Sequence, residues 1–260
     1  MNDNLCKIML INLRGDYQNL QRFEGAIEVY GKIDWERIEG VYGSSLPDNV
    51  CIKLTRDPYS IIAKGALGCF LSHVRAWETL VHSEKTYALI IEDDAALVDL
   101  SFVVECNFPP EFDIIFSNDR TNPHDDWTTV NSAISLLPII ESAPRIEKRK
   151  MAVGTDSYIE SKSGAAKLLD ALKHDLYFGH VDLRLFAYCT RLNELEARVG
   201  QGAFLYDAVS KVQRACNREG YLIGYSLSRS ITVHTATRDT SRTREDKLGL
   251  SGADPSKAKS

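Results

Sequence analysis

Apolar side chains recur along this chain in two spacings, which predict strands and helices in alternation. Short runs rich in branched apolar residues are typical of strands buried on both faces. Such runs lie at residues 7–13, 35–41, 89–91, 111–116 and 230–233, and one or two more strands are expected within 130–140. Apolar residues at steps of three and four predict helices, which cover residues 17–30, 68–82, 161–172 and 181–188. The alternation predicts an α/β fold with one mostly parallel sheet flanked by helices. The basic stretch 144–150 lacks an apolar face, so we expect an exposed loop there.

The strand at 89–91 runs directly into three acids, Glu92, Asp93 and Asp94. In open α/β sheets, ligands bind just beyond the carboxyl ends of the strands. Adjacent carboxylates repel one another unless a cation neutralises them, and oxygen ligands suit Mg²⁺ or Mn²⁺. The triplet therefore predicts a site for a metal ion and a diphosphate. An acidic surface turn that caps the next helix is the alternative, and this run alone does not choose between them.

Composition narrows the class of protein. The chain has 260 residues, which accommodate one large α/β domain or two small ones, and its net charge of −5 gives no case for nucleic-acid binding. Its six cysteines include no CxxC pair, so buried thiols in a reducing compartment are expected. We see no signal-peptide pattern and no apolar window long enough to span a membrane, which favours a cytoplasmic protein. A peripheral contact with the inner membrane face stays open, as does the oligomeric state. Residues 250–260 are expected to form a disordered tail after a single domain, 1–249.

Four segments in chain order resemble motifs of glycosyltransferase family 25, which includes bacterial lipooligosaccharide galactosyltransferases. They lie at residues 10–14, 65–77, 88–94 and 154–169, within a resemblance that covers roughly 5–190. The second reads Gly-Ala-Leu-Gly-Cys-Phe-Leu-Ser-His-Val-Arg-Ala-Trp and the third Ala-Leu-Ile-Ile-Glu-Asp-Asp; these two are the specific ones. Ala66 stands where the family usually has Glu, Asp156 and Ser157 replace the usual Tyr-Gly or similar pair, and the C-terminal third matches poorly.

The resemblance implies a GT-A type fold with a single Rossmann-like sheet, and inverting transfer from a nucleotide sugar, typically UDP-galactose, with Mn²⁺ or Mg²⁺. Asp94 is then the direct metal ligand. Glu92 and Asp93 are expected to hold ribose, sugar hydroxyls or metal-bound water, with Glu92 also a candidate ligand. His234 is expected to complete the metal shell, and Arg238, Arg242 and Arg244 to cover the diphosphate; a solvated basic loop is the alternative.

Inverting transfer also needs a general base that takes the proton of the acceptor hydroxyl. Asp182 is the first candidate because its surroundings, residues 179–184, resemble a Pro-x-Asp stretch of the family. Asp156 is the second candidate. The alternative role of Asp182 is a favourable negative charge at the start of a helix.

Several residues before the acids are candidates for binding the donor. Asn12 and Arg14 follow the first strand, where GT-A proteins hold the nucleobase; a surface salt bridge is the alternative for Arg14. Gly65, with Gly68, is expected to let backbone N–H groups approach a phosphate, although an ordinary turn fits equally well. His73 is expected near the donor, or else as a buried structural residue.

The sequence thus predicts a metal-dependent, inverting hexosyltransferase that moves galactose from UDP-galactose onto a glycan or a glycolipid such as lipooligosaccharide. A second hypothesis is a transferase-like protein that binds nucleotide sugars without catalysis. A third is a nucleotidyltransferase, although residues 14–19 are a poor version of the triphosphate-binding loop such enzymes carry. Acceptor choice is expected to depend on residues 117–150 and on the C-terminal third.

Overall fold

The structure is a computed structural model. It describes residues 6–55, 64–105, 108–109, 111–123, 134–175 and 180–234. The predicted tail at 250–260, residues 130–133 of the predicted strand region, and Arg238, Arg242 and Arg244 lie outside the described residues.

Most of the described strands join in one mixed sheet. The strands are β1 (Cys6–Asn12), β2 (Trp35–Glu39), β3 (Tyr87–Glu92), β4 (Ala95–Leu97), β5 (Ile114–Phe116), β6 (Leu136–Pro138), β7 (Ser157–Ser161), β8 (Gly224–Leu227) and β9 (Thr232–His234). The main sheet has seven strands in the order β2-β1-β3-β7-β5-β8-β6. In it, β1, β2, β3, β5 and β8 run in one direction, and β6 and β7 run in the other. This mostly parallel sheet confirms the predicted α/β class. A second, two-stranded sheet pairs β4 with β9.

Helices cover both faces of the main sheet. They are α1 (Tyr17–Glu28), α2 (Asp48–Thr55), α3 (Lys64–His82), α4 (Ser101–Glu105), α5 (Ala143–Arg149), α6 (Lys162–Ala171), α7 (Val181–Cys189), α8 (Leu192–Val199) and α9 (Phe204–Cys216). Alternation along the central strands supplies two cores: Met9 and Ile90 belong to the one that contains α3 residues, and Leu10 and Leu89 to the one that contains α1 residues. Burial on both faces explains why these strands read as continuous apolar runs. Within the described residues, no helix combines the length and the apolar character needed to cross a membrane.

Local signals placed several elements correctly. The predicted helix at 68–82 is α3, which begins four residues earlier, at Lys64. The helix predicted at 161–172 is α6, and the Ser161 hydroxyl caps it by accepting a hydrogen bond from the Gly164 amide at 2.9 Å.

The prediction of an exposed loop at 144–150 is wrong, because these residues contribute most of α5. Ile146 is fully buried, and the Arg145 guanidinium donates to three backbone carbonyls within residues 119–122. The stretch shows no apolar face in the sequence because a single apolar side chain and the stem of an arginine form its buried side. Pro144 in the first turn is compatible with a helix start.

Candidate donor and metal site

The topology of the sheet collects polar residues at one edge. The parallel strands β1 and β3 end there, at Asn12 and Glu92. Strand β7 is antiparallel to β3, so its beginning lies at the same edge. The residue before β7 is Asp156, and its carbonyl accepts a hydrogen bond from the Glu92 amide at 2.8 Å. Two acids that are distant in the chain therefore become neighbours.

The small sheet brings in a histidine from the other end of the chain. Strand β4 directly follows the acid triplet, and its Ala95 pairs with His234 in the antiparallel register of β9. An isolated bridge between Asn118 and Thr232 ties β9 to the end of β5. The His234 amide also donates to the Asp119 carboxylate at 3.0 Å. These contacts position His234 next to Asp94.

Asp94, Asp156 and His234 form a cluster in which one potential ligand atom from each residue lies within 4.8 Å of the others. His234 Nδ1 is 3.6 Å from Asp156 Oδ1. Asp156 is only 3% exposed, and its Oδ2 has no hydrogen-bond partner among the described residues. The two carboxylates suit Mn²⁺ or Mg²⁺, the imidazole favours the transition metal Mn²⁺ over Mg²⁺, and the unsatisfied buried oxygen is the kind of atom that a cation would satisfy. The donor set therefore fits the predicted divalent ion.

Electrostatics at this cluster favour a positive charge close to Asp156. Burial raises the pKa of Asp156 well above its ordinary value; Arg120 opposes this, and the charges of Glu92 and Asp94 add to it. Burial and the positive charge of Arg120 lower the pKa of His234, so its imidazole is neutral at pH 7, the form that binds metals. A buried carboxylate among other acids is strongly stabilised by a nearby positive charge.

Arg120 supplies such a charge and was missed at the sequence level. It follows β5, and its guanidinium forms an ion pair with Asp156. Burial would lower its pKa, but the charges of Asp156 and Glu92 raise that pKa above its ordinary value. Nothing in the pattern around residue 120 distinguishes this arginine from a surface residue of a polar loop.

Glu92 is held beside the metal cluster by two donors. Its Oε1 accepts a hydrogen bond from the Thr155 hydroxyl at 2.7 Å and lies 3.3 Å from His73 Nε2. Burial alone would raise the pKa of Glu92, but the bonds from His73 and Thr155 and the charge of Arg120 lower it to about 2. Glu92 is therefore an ionised hydrogen-bond acceptor at neutral pH and a poor proton acceptor.

His73 is fully buried and takes part in a hydrogen-bonded chain. The indole N–H of Trp77 donates to the Tyr158 hydroxyl at 2.9 Å, and that hydroxyl lies 2.9 Å from His73 Nδ1. If the Tyr158 proton serves Nδ1, the Nε2–H of His73 is left to donate to Glu92, and every member of the chain is satisfied. The contact of His73 with Glu92 fixes the Glu92 carboxylate and favours the structural role of His73. Contact between His73 and the donor stays a prediction.

Cys69 lies one helical turn before His73 and forms a second cluster with His73 and Glu92. Burial, followed by the charges of Glu92 and Asp182, raises the pKa of the Cys69 thiol well above its ordinary value. Because metals bind the thiolate and a neutral imidazole nitrogen, this protonated thiol and the engaged Nε2 make the second cluster the poorer metal site.

Asp182 lies in the first turn of α7 and accepts two backbone hydrogen bonds. Its Oδ2 accepts from the Gly154 amide at 3.0 Å, and its Oδ1 accepts from the Leu183 amide at 2.8 Å. These bonds orient the carboxylate and tie α7 to the segment that carries Asp156. The role of Asp182 as base stays a prediction.

The remaining predicted residues lie around the end of β1. The Asn12 side chain is buried and donates to Asp93 Oδ2 at 2.7 Å, which fixes the middle acid of the triplet. Arg14 is exposed. Gly65 and Gly68 lie in the first turns of α3, where a Cβ on Gly68 would be 2.6 Å from the backbone nitrogen of Gly43. Close helix packing thus explains Gly68, while the donor contacts predicted for Asn12, Arg14 and Gly65 stay predictions.

Sequence comparison identifies the family. A sequence model of glycosyltransferase family 25, described as an LPS biosynthesis protein family, matches residues 6–182. The chain belongs to this family. The predicted resemblance is confirmed, and the mixed sheet flanked by helices is consistent with a GT-A-like α/β fold.

Curated members of family 25 match the chain at low identity. It is 29% identical over 124 residues to a Bos taurus protein named probable inactive glycosyltransferase 25 family member 3, covering 44% of this chain and 19% of that protein. It is 24% identical to procollagen galactosyltransferase 1-A of Xenopus laevis, covering 64% of this chain and 28% of the relative. The chain thus spans less than a third of the length of these relatives.

A solved glycosyltransferase structure is also similar. This glycosyltransferase is involved in the glycosylation of the major capsid of PBCV-1. Its sequence is 10% identical, and the match covers 95% of this chain and 99% of that chain with a TM-score of 0.36. This resemblance is too remote to bear on function.

Proposed function

We propose that this protein is a metal-dependent, inverting transferase that moves galactose from UDP-galactose onto a glycan or a glycolipid such as lipooligosaccharide. The observation that carries the proposal is the convergence of Asp94, Asp156 and His234 at the carboxyl edge of the sheet. Relatives named procollagen galactosyltransferase support the donor sugar, and the family's description as LPS biosynthesis supports a glycolipid acceptor.

Asp94, Asp156 and His234 are the residues proposed to hold Mn²⁺ or Mg²⁺. Such an ion supplies positive charge that stabilises the diphosphate as it leaves. Under this proposal Asp156, the second candidate base, serves as a metal ligand. Glu92 then serves as an ionised hydrogen-bond acceptor for a hydroxyl of the donor or of the acceptor substrate. Asp182 is the proposed base, because its two backbone hydrogen bonds fix the direction of its carboxylate and each oxygen keeps a further lone pair.

A second candidate function is binding of a nucleotide sugar without catalysis. One observation favours it: a relative of this chain carries a name that calls it probably inactive. The acid triplet and the cluster of Asp94, Asp156 and His234 favour the transferase, because a binding protein has less need of a metal at the diphosphate.

UDP release from a panel of UDP-sugars, with Mn²⁺ and with EDTA, tests the proposal. We expect Mn²⁺-dependent turnover of UDP-galactose above the other sugars, and a loss of at least about 100-fold in Asp94→Asn. Asp170→Asn is the control, because Asp170 is exposed on α6 and pairs with Lys173. Mn²⁺-dependent UDP binding without turnover would favour the binding protein, and selectivity for a nucleoside triphosphate would favour a nucleotidyltransferase.

A further inference from the structure

Arg120 lies among the carboxylates of the candidate metal site. Its guanidinium pairs with Asp156, and the negative charges of Glu92, Asp182 and Asp94 also act on it. The side chain of Arg120 is 18% exposed and that of Asp156 is 4% exposed, so the pair is largely shielded from water. Within the described residues, Arg120 Nε has no hydrogen-bond partner. The guanidinium is therefore held here by the hydrogen-bonded ion pair from Nη2 to Asp156 Oδ1 and by the surrounding negative charges.

Asn118 and Gly154 form a close-fitting site around Arg120, which we call its seat. A Cβ on Gly154, which has φ of +79°, would lie 2.2 Å from Arg120 Nη2, so the guanidinium occupies the space that a side chain would need. The Asn118 side chain accepts from the Arg120 amide at 3.0 Å and donates to the Gly154 carbonyl at 3.0 Å. These bonds hold the loop that follows β5 against the segment that precedes β7.

This seat conflicts with a divalent ion in the same cluster. Asp156 would have to serve the guanidinium and the ion together, and two positive charges on one buried carboxylate repel strongly where the dielectric constant is low. The repulsion persists even if each cation uses a different oxygen of Asp156. A flexible arginine stem allows the guanidinium to turn away, and its planar set of donors matches the oxygens of a diphosphate.

We propose that Arg120 couples cation binding to diphosphate binding. In the empty site it neutralises Asp156 and weakens the binding of a divalent cation. Once displaced, it pairs with the nucleotide diphosphate and so favours the loaded site. This inference rests on the proposed metal and nucleotide site, and coupling of this kind acts equally in both directions.

Isothermal titration calorimetry on the full chain tests the coupling without any activity measurement. The Kd of Mn²⁺ alone, and the Kd of UDP with and without Mn²⁺, are compared between wild type and Arg120→Gln, which removes the charge but keeps a hydrogen-bond donor. We expect Arg120→Gln to bind Mn²⁺ alone about tenfold more tightly and UDP in the presence of Mn²⁺ about tenfold more weakly.

Two further variants separate charge from shape and from folding. Arg218→Gln is the matched control, because Arg218 and its partner Asp175 are 18% and 5% exposed. The other ionisable neighbours of Arg218 include Tyr188, Tyr221 and Asp170. This substitution should leave both Kd values unchanged. Arg120→Lys keeps the charge and should bind Mn²⁺ alone as wild type does, and it remains informative if Arg120→Gln does not fold.

The outcomes separate this inference from the proposed function. Any of three results overturns the coupling role: Arg120→Gln binds Mn²⁺ no more tightly than wild type, it binds UDP no more weakly, or Arg120→Lys binds Mn²⁺ tenfold more tightly. If wild type still binds Mn²⁺ in these cases, the proposed metal site stands. If wild type binds neither Mn²⁺ nor UDP, the proposed function fails with it.

Discussion

Glu92 and Glu160 are acids whose surroundings shift their protonation in opposite directions. Glu92 receives hydrogen bonds from His73 and Thr155, and its pKa falls to about 2. Glu160 is fully buried in β7, and neither of its carboxylate oxygens has a hydrogen-bond partner within the described residues. Burial and then the charge of Asp113 raise the pKa of Glu160 well above its ordinary value, against the opposing charge of Lys167. Glu92 therefore stays ionised, whereas Glu160 keeps its proton to a higher pH.

The raised pKa of Glu160 predicts a specific pH dependence of stability. The folded state binds this proton more tightly than the unfolded state, so the contribution is present below the unfolded pKa and is lost as pH rises toward the folded pKa. We expect the free energy of unfolding of wild type to fall, relative to Glu160→Gln, by up to about 1.4 kcal/mol per pH unit above about pH 4.5. Urea unfolding of both proteins between about pH 5 and about pH 8 measures the difference. Parallel profiles would contradict the assignment.

Asp182 gives a second prediction for a single residue. As the base, it should be needed in its ionised form, so Asp182→Asn and Asp182→Ala should both lower kcat by about 10²–10⁴-fold. A role limited to holding the Gly154 amide predicts a different result, because an Asn side chain also offers an oxygen acceptor. Near-normal kcat in Asp182→Asn, with loss only in Asp182→Ala, would leave Asp182 as a positioning residue.

At the level of elements, the N-terminal turns of α3 pack unusually closely against the turn at Gly43–Ser45. The absence of a side chain on Gly68 permits this contact, because a Cβ would lie 2.6 Å from both the Gly43 nitrogen and the Val41 carbonyl oxygen. The Ser72 hydroxyl adds to the contact by accepting a hydrogen bond from the Val41 amide at 2.8 Å. Since α3 also carries His73, this packing helps to set the position of Glu92.

Replacing Gly68 tests the importance of that contact. Gly68→Ala should lower the free energy of unfolding by about 1–3 kcal/mol, because backbone atoms must move to admit the methyl group. Gly25→Ala is the matched control, since Gly25 also lies within a helix but has nothing within 4 Å of the added Cβ. That change should raise stability by roughly 0.5–1 kcal/mol through the better helix propensity of alanine. Equal effects of the two substitutions in urea unfolding would show that the contact has little energetic weight.

At the level of the whole molecule, the candidate site joins the ends of strands from distant parts of the chain. Asp94 follows β3, Asp156 precedes β7, and His234 ends β9. A ligand that bridges these residues binds the folded state only, because unfolding separates them. Such a ligand therefore stabilises the entire fold by mass action.

Thermal unfolding measures this linkage directly. Mn²⁺ and UDP, each at about 100 times its Kd, should add about 2.7 kcal/mol each and so about 5.4 kcal/mol together, which corresponds to a rise in Tm of roughly 10–20 °C for a chain of this size. Asp94→Asn should lose the Mn²⁺-dependent part of the rise. An equal rise in Asp94→Asn would place the metal elsewhere.

The sequence by itself determined the features that depend on neighbours in the chain. The strand before the acid triplet was predictable because an apolar run and the acids that follow it are covalently adjacent. The cap of α6 was predictable because Ser161 and the amide that it binds are three residues apart. The specific motifs also gave the family, because they are contiguous stretches. Helix α5 was not predictable, since its buried side depends on which loop it meets.

Only the tertiary structure decided which acids and bases share a site. The sequence named Asp94, Glu92 and His234 as metal ligands and Asp156 as a base. The antiparallel pairing of β7 brings Asp156 beside Asp94 and His234, while Thr155 and His73 lie within hydrogen-bond distance of Glu92. The metal and base roles of these residues stay predictions. Arg120 joins them through a loop without any pattern. Each strand or side chain has many possible partners elsewhere in the chain. The spacing of residues along the sequence does not specify which partners come into contact.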